Sequence, residues 1–117
     1  MSIDARVQAI IDCGEEADDI LRAALAAVHE GAGAPWSAIA FVEEGQMVIG
    51  PLLGTAPDDS PAPALAVPID YRGDTVAALW LGSAPARALE RELEHAAELL
   101  APYCLVGWDT GGEDWVP

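Results

Sequence analysis

The sequence contains no lysine and no asparagine, and its five arginines face twenty aspartates and glutamates, for a formal net charge of −15. Nucleic-acid affinity comes largely from cations that neutralise phosphates, so a surface this poor in cations repels nucleic acids and anionic membranes. We therefore expect neither as a partner. Three explanations of the acidity stay open. The first is the bias of a GC-rich genome, together with the solubility that a high net charge gives. The second is adaptation to salt, and the third is a basic partner.

Long apolar runs are also missing, since no stretch approaches the ~20 residues that a membrane-spanning helix needs. Residues 1–4 contain neither the basic nor the apolar region of a secretory signal, so we expect a cytoplasmic protein. Hydrophobic residues make up 52% of the 117 residues, which is enough for the core of one domain. We predict a single domain over 1–117, with an N-terminal helical extension at 1–15 and an irregular tail at 103–117.

Cysteine and histidine are too scarce for a metal site with a recognisable spacing. Cys13 and Cys104 do not form a CxxC pair, and we expect both to be reduced and buried as small apolar residues. His95 lies among glutamates on a predicted helix; carboxylates and a histidine so spaced can hold a metal, although a solvated helix face is the commoner arrangement. His29 lies at a predicted helix end, where a cation complements the dipole. We expect no metal and no cofactor.

Motifs of catalysis are absent or incomplete. Asp109-Thr110-Gly111 follows apolar residues and resembles the active-site loop of aspartic proteases. Those enzymes need two such aspartates, and too few residues follow Gly111 to build the rest of a protease half. We interpret this segment as a glycine-rich terminal turn. No phosphate-binding glycine motif and no Ser-His-Asp spacing is present, so we predict no catalytic residues.

Apolar residues in the N-terminal third recur at alternating spacings of four and three, which predicts one amphipathic helical stripe. The stripe consists of Ile3, Val7, Ile10, Gly14, Ala17, Leu21, Ala24 and Val28. It is weak at Gly14, so a break near Cys13 would divide it into a short helix and a longer one from about Glu16. Gly33 and Pro35 end the longer helix.

Apolar runs predict four strands, at residues 37–42, 46–50, 65–71 and 75–82. Turn residues at 43–45 and 72–74 join them into two hairpins. Residues 51–64 are rich in proline, glycine and aspartate, and we interpret them as a loop. Pro68 places its strand at a sheet edge or bulge, whereas the nearly continuous apolar run of the last strand predicts a central position.

A second long helix follows the last strand. Ser83 and Pro85 predict its start, and Pro102 predicts its end. One face carries Leu89, Leu93, Ala96, Ala97 and Leu100. The opposite face carries Glu90, Glu94 and Glu98, with Arg87 and Arg91 at spacings that permit ion pairs.

Four tryptophans supply most of the aromatic side chains. We expect Trp80, in the apolar strand, to lie in the core, and Trp36 fits either the core or the wall of a pocket. Trp108 and Trp115 lie in a polar tail, and we expect this tail to fold back onto the domain, with contact to a partner as the alternative.

The order of these elements resembles that of a GAF domain, over roughly residues 16–102. The clearest part is 65–83, where a Val-Pro-Ile strand, a glycine-containing hairpin and an apolar strand precede the last helix, as in that family. Residues 46–54 resemble the second strand of the branch that reduces free methionine sulfoxide. Two departures matter: only about fourteen residues separate the second and third strands, and this loop lacks the reactive cysteines of the reductases, which need a thiolate.

The resemblance implies an α+β fold, a GAF-like antiparallel sheet with the N- and C-terminal helices packed on one face. It also implies a homodimer through those helices, which the long apolar stripe supports independently. A ligand would lie between loop 51–64 and the sheet. The candidate ligand-binding residues are Trp36, Phe41, Thr55 and Trp80.

Three functions are therefore considered. The first is a non-catalytic sensory, regulatory or scaffold domain of GAF-like fold, with a small molecule as a possible ligand. The second is an acidic protein-interaction module that uses the tryptophan-containing tail on a protein partner. The third is a small enzyme related to the free methionine sulfoxide reductases.

Overall fold

The computed structural model describes residues 2–14, 16–55 and 62–106, except for the side chains of residues 105 and 106. Its elements are α1 (Ile3–Asp12), α2 (Ala17–Ala32), β1 (Trp36–Glu43), β2 (Gln46–Gly54), β3 (Leu65–Tyr71), β4 (Asp74–Leu81) and α3 (Arg87–Val106). The strands form one antiparallel sheet in the order β2-β1-β4-β3, which gives the α+β class that was predicted. No helix in the described part of the chain is long and apolar enough to cross a membrane.

The N-terminal stripe folds as two helices, with the break where it was predicted. Gly14 has a φ of 76°, in the left-handed region that a glycine adopts without steric cost, and this ends the first helix. α1 then packs against α2 and α3, which buries Ile3 and Val7. The apolar residues of α1, which supported the prediction of a dimer, therefore pack against helices of the same chain. Pairing of two copies through these helices stays a prediction.

Both predicted hairpins form around two-residue turns. Glu44 and Gly45 have φ values of 51° and 78°, and Arg72 and Gly73 have values of 55° and 90°. Two successive residues at positive φ are typical of type I′ turns, whose twist matches that of the flanking strands. The glycine at the second position of each turn adopts its positive φ without the steric cost that a side chain would add.

The predicted loop at 51–64 begins later than expected, because β2 continues to Gly54. The pairing with β1 shifts where Gly50 and Pro51 lie opposite Ile39. Such a bulge tolerates a residue without an N–H, so Pro51 is accommodated inside the strand. Of the remaining loop, residues 56–61 lie outside the described part of the chain.

α3 starts and ends later than predicted. Ser83 does not cap it; the carbonyl of Ala86 accepts the first helical hydrogen bonds, from Leu89 and Glu90. Pro102 does not end it either, and the helix runs on to its last residue, 106. Cys104, beyond the proline, is buried in the core, so tertiary packing compensates for the hydrogen bond that Pro102 cannot donate.

The core lies between the sheet and the helices. α2 covers β1 and β2, α3 covers β3 and β4, and α1 lies against both of these helices. The largest fully buried side chains are Ile3, Ile20, Leu21, Leu25, Ile39, Ile69, Leu79, Leu81, Leu93, Leu100, Val7 and Val28. As predicted, β4 is central and β3, with Pro68, is an edge strand. The three described helices therefore share one face of the sheet.

Candidate functional site

The sheet has a second face, against which none of the three described helices packs. Side chains alternate along a strand, and Ile39 and Phe41 of β1 point into the core beneath the helices. The intervening β1 residues point to the second face. Together with β4 they give this face a set of buried apolar residues outside the helix-side core: Trp36, Ala38, Ala40 and Ala78. The second face thus has a centre of small side chains.

Two indole rings border this alanine centre. Trp80 of β4 pairs across the strands with Ala38 and Ala66, and its side chain is half-buried. The prediction that Trp80 lies in the core is therefore wrong, because its side chain points to the face opposite that of Leu79 and Leu81. Trp36 is only 3% exposed, and its ring lies against Gly82. A Cβ at Gly82 would collide with Cδ1 and Nε1 of that indole, so the glycine is required for the ring to lie there.

Three of the four candidate ligand-binding residues come together at this end of the sheet. Trp36 and Trp80 lie on the second face, and Thr55 follows β2 nearby, where its N–H donates to the carbonyl of Pro35 at 3.2 Å. Phe41 lies on the opposite face, in the core and over Gly50. The four residues therefore do not line one surface, because Phe41 is separated from the others by the sheet.

Sequence reasoning missed the alanines at the centre of this surface and Gly82 beside it. The sequence signal for this surface is a small residue at every second position in two paired strands, because residues so spaced lie on the same face of a sheet. It becomes informative only when the register of β1 against β4 is known. Ala38 opposite Trp80 and Ala40 opposite Ala78 follow from that register.

A buried polar pair lies on the helix side of the same strand. Ser37 is fully buried, and its Oγ lies 2.9 Å from Nδ1 of His29 in α2. The pair satisfies the hydroxyl, which would cost about 1–3 kcal/mol if it were buried without a partner. Because Ser37 is inaccessible, the pair holds α2 against β1 and offers no nucleophile.

His95 of α3 contacts α1 instead of the glutamates of its own helix. Its Nδ1 lies 2.7 Å from Oδ2 of Asp4, and Oε1 of Glu92 accepts from the N–H of Ile3 at 2.8 Å. Hydrogen bonds from Ser2 and then from His95 lower the pKa of Asp4 below 3.8. Among the described residues, no three histidines, cysteines or carboxylates are placed to hold a metal ion.

The two cysteines have different environments. Cys104 is buried as predicted, and burial raises the pKa of its thiol to about 12, which keeps it protonated and a poor nucleophile. Cys13 follows α1 and is exposed, so the prediction that both are buried is wrong for this residue. The sequence signal for the difference is the adjacent Gly14, where the helix ends.

The irregular tail predicted at 103–117 is wrong for residues 103–106, which belong to α3, and its other predictions fall outside the described residues. They concern Trp108, Trp115 and the segment Asp109-Thr110-Gly111. The fold-back of the tail and its contact with a partner stay predictions.

The fold is similar to that of two solved structures. The GAF domain of an Acinetobacter phosphoenolpyruvate-protein phosphotransferase aligns with a TM-score of 0.70 and 14% identity, over 96% of this chain and 95% of that chain. A type II free methionine-R-sulfoxide reductase from Thermoplasma acidophilum aligns with a TM-score of 0.62 and 16% identity, over 74% of this chain and 91% of that chain. No family model and no curated protein matches the sequence.

Structural similarity at 14–16% sequence identity establishes the fold alone. The alignment with a GAF domain extends over nearly the whole chain, including its antiparallel sheet and the helices packed on it. The chain therefore has a GAF-like α+β fold.

Proposed function

We propose that this chain is a small regulatory domain that binds a planar small molecule on the second face of its sheet. The observation that carries the proposal is the pair of indoles, Trp36 and Trp80, beside a centre of alanines on a face that no described helix covers. The GAF-like fold supports a sensory or regulatory role in general terms. Binding pockets typically combine aromatic and apolar walls with a few polar groups.

The chemistry of this face restricts the ligand. Indole faces favour stacking on flat rings and attract cations, and the half-buried Trp80 has indole surface that a ligand can reach. The net charge of −15 disfavours an anionic ligand. We therefore expect an uncharged or cationic planar molecule, with Thr55 at the rim as a hydrogen-bonding group.

Native mass spectrometry of the purified chain tests this proposal. We expect a bound mass in the unmodified protein that is lost in Trp80→Ala. Val42→Ala is the matched control, because Val42 projects from the same face of β1 but pairs with Met47, at the end remote from both indoles. Retention of the mass in Trp80→Ala, or its loss in both variants, contradicts the assigned site.

A second candidate is a small enzyme that reduces free methionine sulfoxide. One structural neighbour carries that activity in its name, and this supports the candidate. The protonated state of Cys104 weighs against it, which leaves Cys13 as the exposed thiol of the described residues. Thiol-dependent consumption of free methionine-R-sulfoxide, lost in Cys13→Ser, supports the enzyme; no turnover by the unmodified protein excludes it.

A protein-interaction module that uses the tail is the remaining alternative. The acidic surface supports a basic partner, which would be attracted over a long range at low salt. Deletion of residues 108–117 distinguishes the cases. Loss of partner capture with unchanged folding supports the module, and loss of stability assigns the tail a structural role.

A further inference from the structure

The exposed large hydrophobic side chains of the described residues lie on a single hairpin. They are Val42 of β1 and Met47, Val48 and Leu52 of β2, each between 36% and 41% exposed. β2 is an edge strand whose neighbour in the sheet is β1. No described strand pairs with the other long side of its backbone.

This edge lacks the usual protection against strand pairing. Natural edge strands carry charges, prolines or bulges that prevent contact with another chain. No residue of β2 is charged, although 25 of the 117 residues of the chain are. Its one proline, Pro51, lies at the bulge, and the pairing with β1 is regular over 46–49.

The opposite edge of the sheet is protected. β3 carries Pro68 and Asp70, and Glu94 and Glu98 of α3 lie across the groove beside it. In the described part of the molecule, none of these three carboxylates forms a salt bridge. A second acidic chain would be repelled here. The protection is thus present at one edge and absent at the other.

We propose that a second copy of this chain pairs with the first through β2, antiparallel and about a two-fold axis at Val48. Two copies of charge −15 repel each other wherever carboxylates meet, and the uncharged segment 46–50 is a surface where they meet without that cost. An antiparallel strand paired with itself is self-complementary, as a two-fold interface must be. Val48 is the central residue of 46–50, the segment between the turn at 44–45 and Pro51.

This interface differs from the helical one that the resemblance implied. It would join two four-stranded sheets into one continuous sheet and cover Val48, while the helices remain outside the contact. It also leaves Trp36 and Trp80 outside the contact, because Trp36 pairs with Gly54, at the far end of β2 from segment 46–50, and Trp80 lies on β4. The proposal is therefore independent of ligand binding.

Native mass spectrometry and light scattering of the 117-residue chain over a dilution series test the pairing. We expect a dimer of about twice 12.2 kDa, and a monomer for Val48→Asp, because two carboxylates would then face each other at the axis. Val42→Asp is the matched control, since Val42 is similarly exposed but lies on an inner strand. Circular dichroism checks that both variants are folded.

Mixing two variants gives a sharper test. If residue 48 faces its own copy, Val48→Asp and Val48→Lys form a mixed dimer in which the charges attract, while each alone is weakened. Amide hydrogen exchange on the unmodified chain adds a measurement that needs no variant: protection at 46–50 should fall on dilution. A monomeric unmodified chain, a Val48→Asp protein that stays dimeric, or equal dissociation of folded Val42→Asp overturns the proposal.

Discussion

Ile3 packs directly on Gly31 of α2, and this contact fixes how closely α1 approaches. A Cβ at residue 31 would lie 2.5 Å from Cγ1 of Ile3. Alanine is about 1 kcal/mol better than glycine inside a helix, but overpacking of a core costs about 1–3 kcal/mol. We expect Gly31→Ala to destabilise the protein by about 1 kcal/mol in urea unfolding. Adding Ile3→Ala to this variant should remove the clash, and a stabilised single variant would contradict the packing.

The hydrogen bonds at Asp4 predict a pH dependence of stability. The folded pKa is lowered, so this group stabilises the folded state above the ordinary value of 3.8, and the contribution is lost as pH falls through the folded pKa. We expect Asp4→Asn to be less stable than the unmodified protein at neutral pH, and the difference to shrink in acid. Urea titrations across this range measure it. Asp74→Asn, at an exposed turn, is the control, and a constant difference would contradict the account.

The two thiols should differ sharply in reactivity. Cys104 is buried with a pKa of about 12, whereas Cys13 is exposed. Thiolates are the reactive form, so a disulfide reagent should titrate one thiol in the folded protein and two after denaturation. Cys13→Ser should leave no rapidly reacting thiol. Rapid reaction of that variant would show that Cys104 is accessible.

Among the secondary-structure elements, α3 contains a proline whose replacement should stabilise the helix. Pro102 lacks the N–H that would bond to the preceding turn, and its side chain is exposed. A proline in a helix interior costs about 3 kcal/mol. We expect Pro102→Ala to stabilise the protein by about 1 kcal/mol or more in thermal or urea unfolding. A loss of stability would mean that the proline shapes the end of the helix to the core.

The elements that local chemistry dictates were predictable. Gly14 predicted the break between α1 and α2. The turn residues at 44–45 and 72–73 predicted both hairpins. The wrong boundaries were those decided by distant contacts. Burial of Cys104 carries α3 past its proline, and pairing with β1 carries β2 past Gly50 and Pro51.

The candidate site was predictable in part for the same reason. Trp36 and Trp80 belong to strands whose existence is clear from composition, and both lie on the second face. Phe41 was grouped with them because the face of a residue depends on register, and a shift of one residue moves a side chain through the sheet. The sheet register, which is a tertiary property, assigned Phe41 to the core.

At the scale of the whole molecule, charge and exposed apolar surface are segregated. The acidity from which we expect no nucleic-acid partner also limits where two copies can meet, and β2 is uncharged. The indole-lined second face and the β2 edge are separate surfaces, so ligand binding and self-association can be tested independently. We expect Trp80→Ala to abolish the first and Val48→Asp the second, each without affecting the other.

Native mass spectrometry of the unmodified chain decides whether a small molecule binds on the second face. We expect a stoichiometric extra mass on each copy, released when the protein is denatured and missing from Trp80→Ala. A chain that is purified without any bound mass, and takes up none from the extract of its expression host, would contradict it.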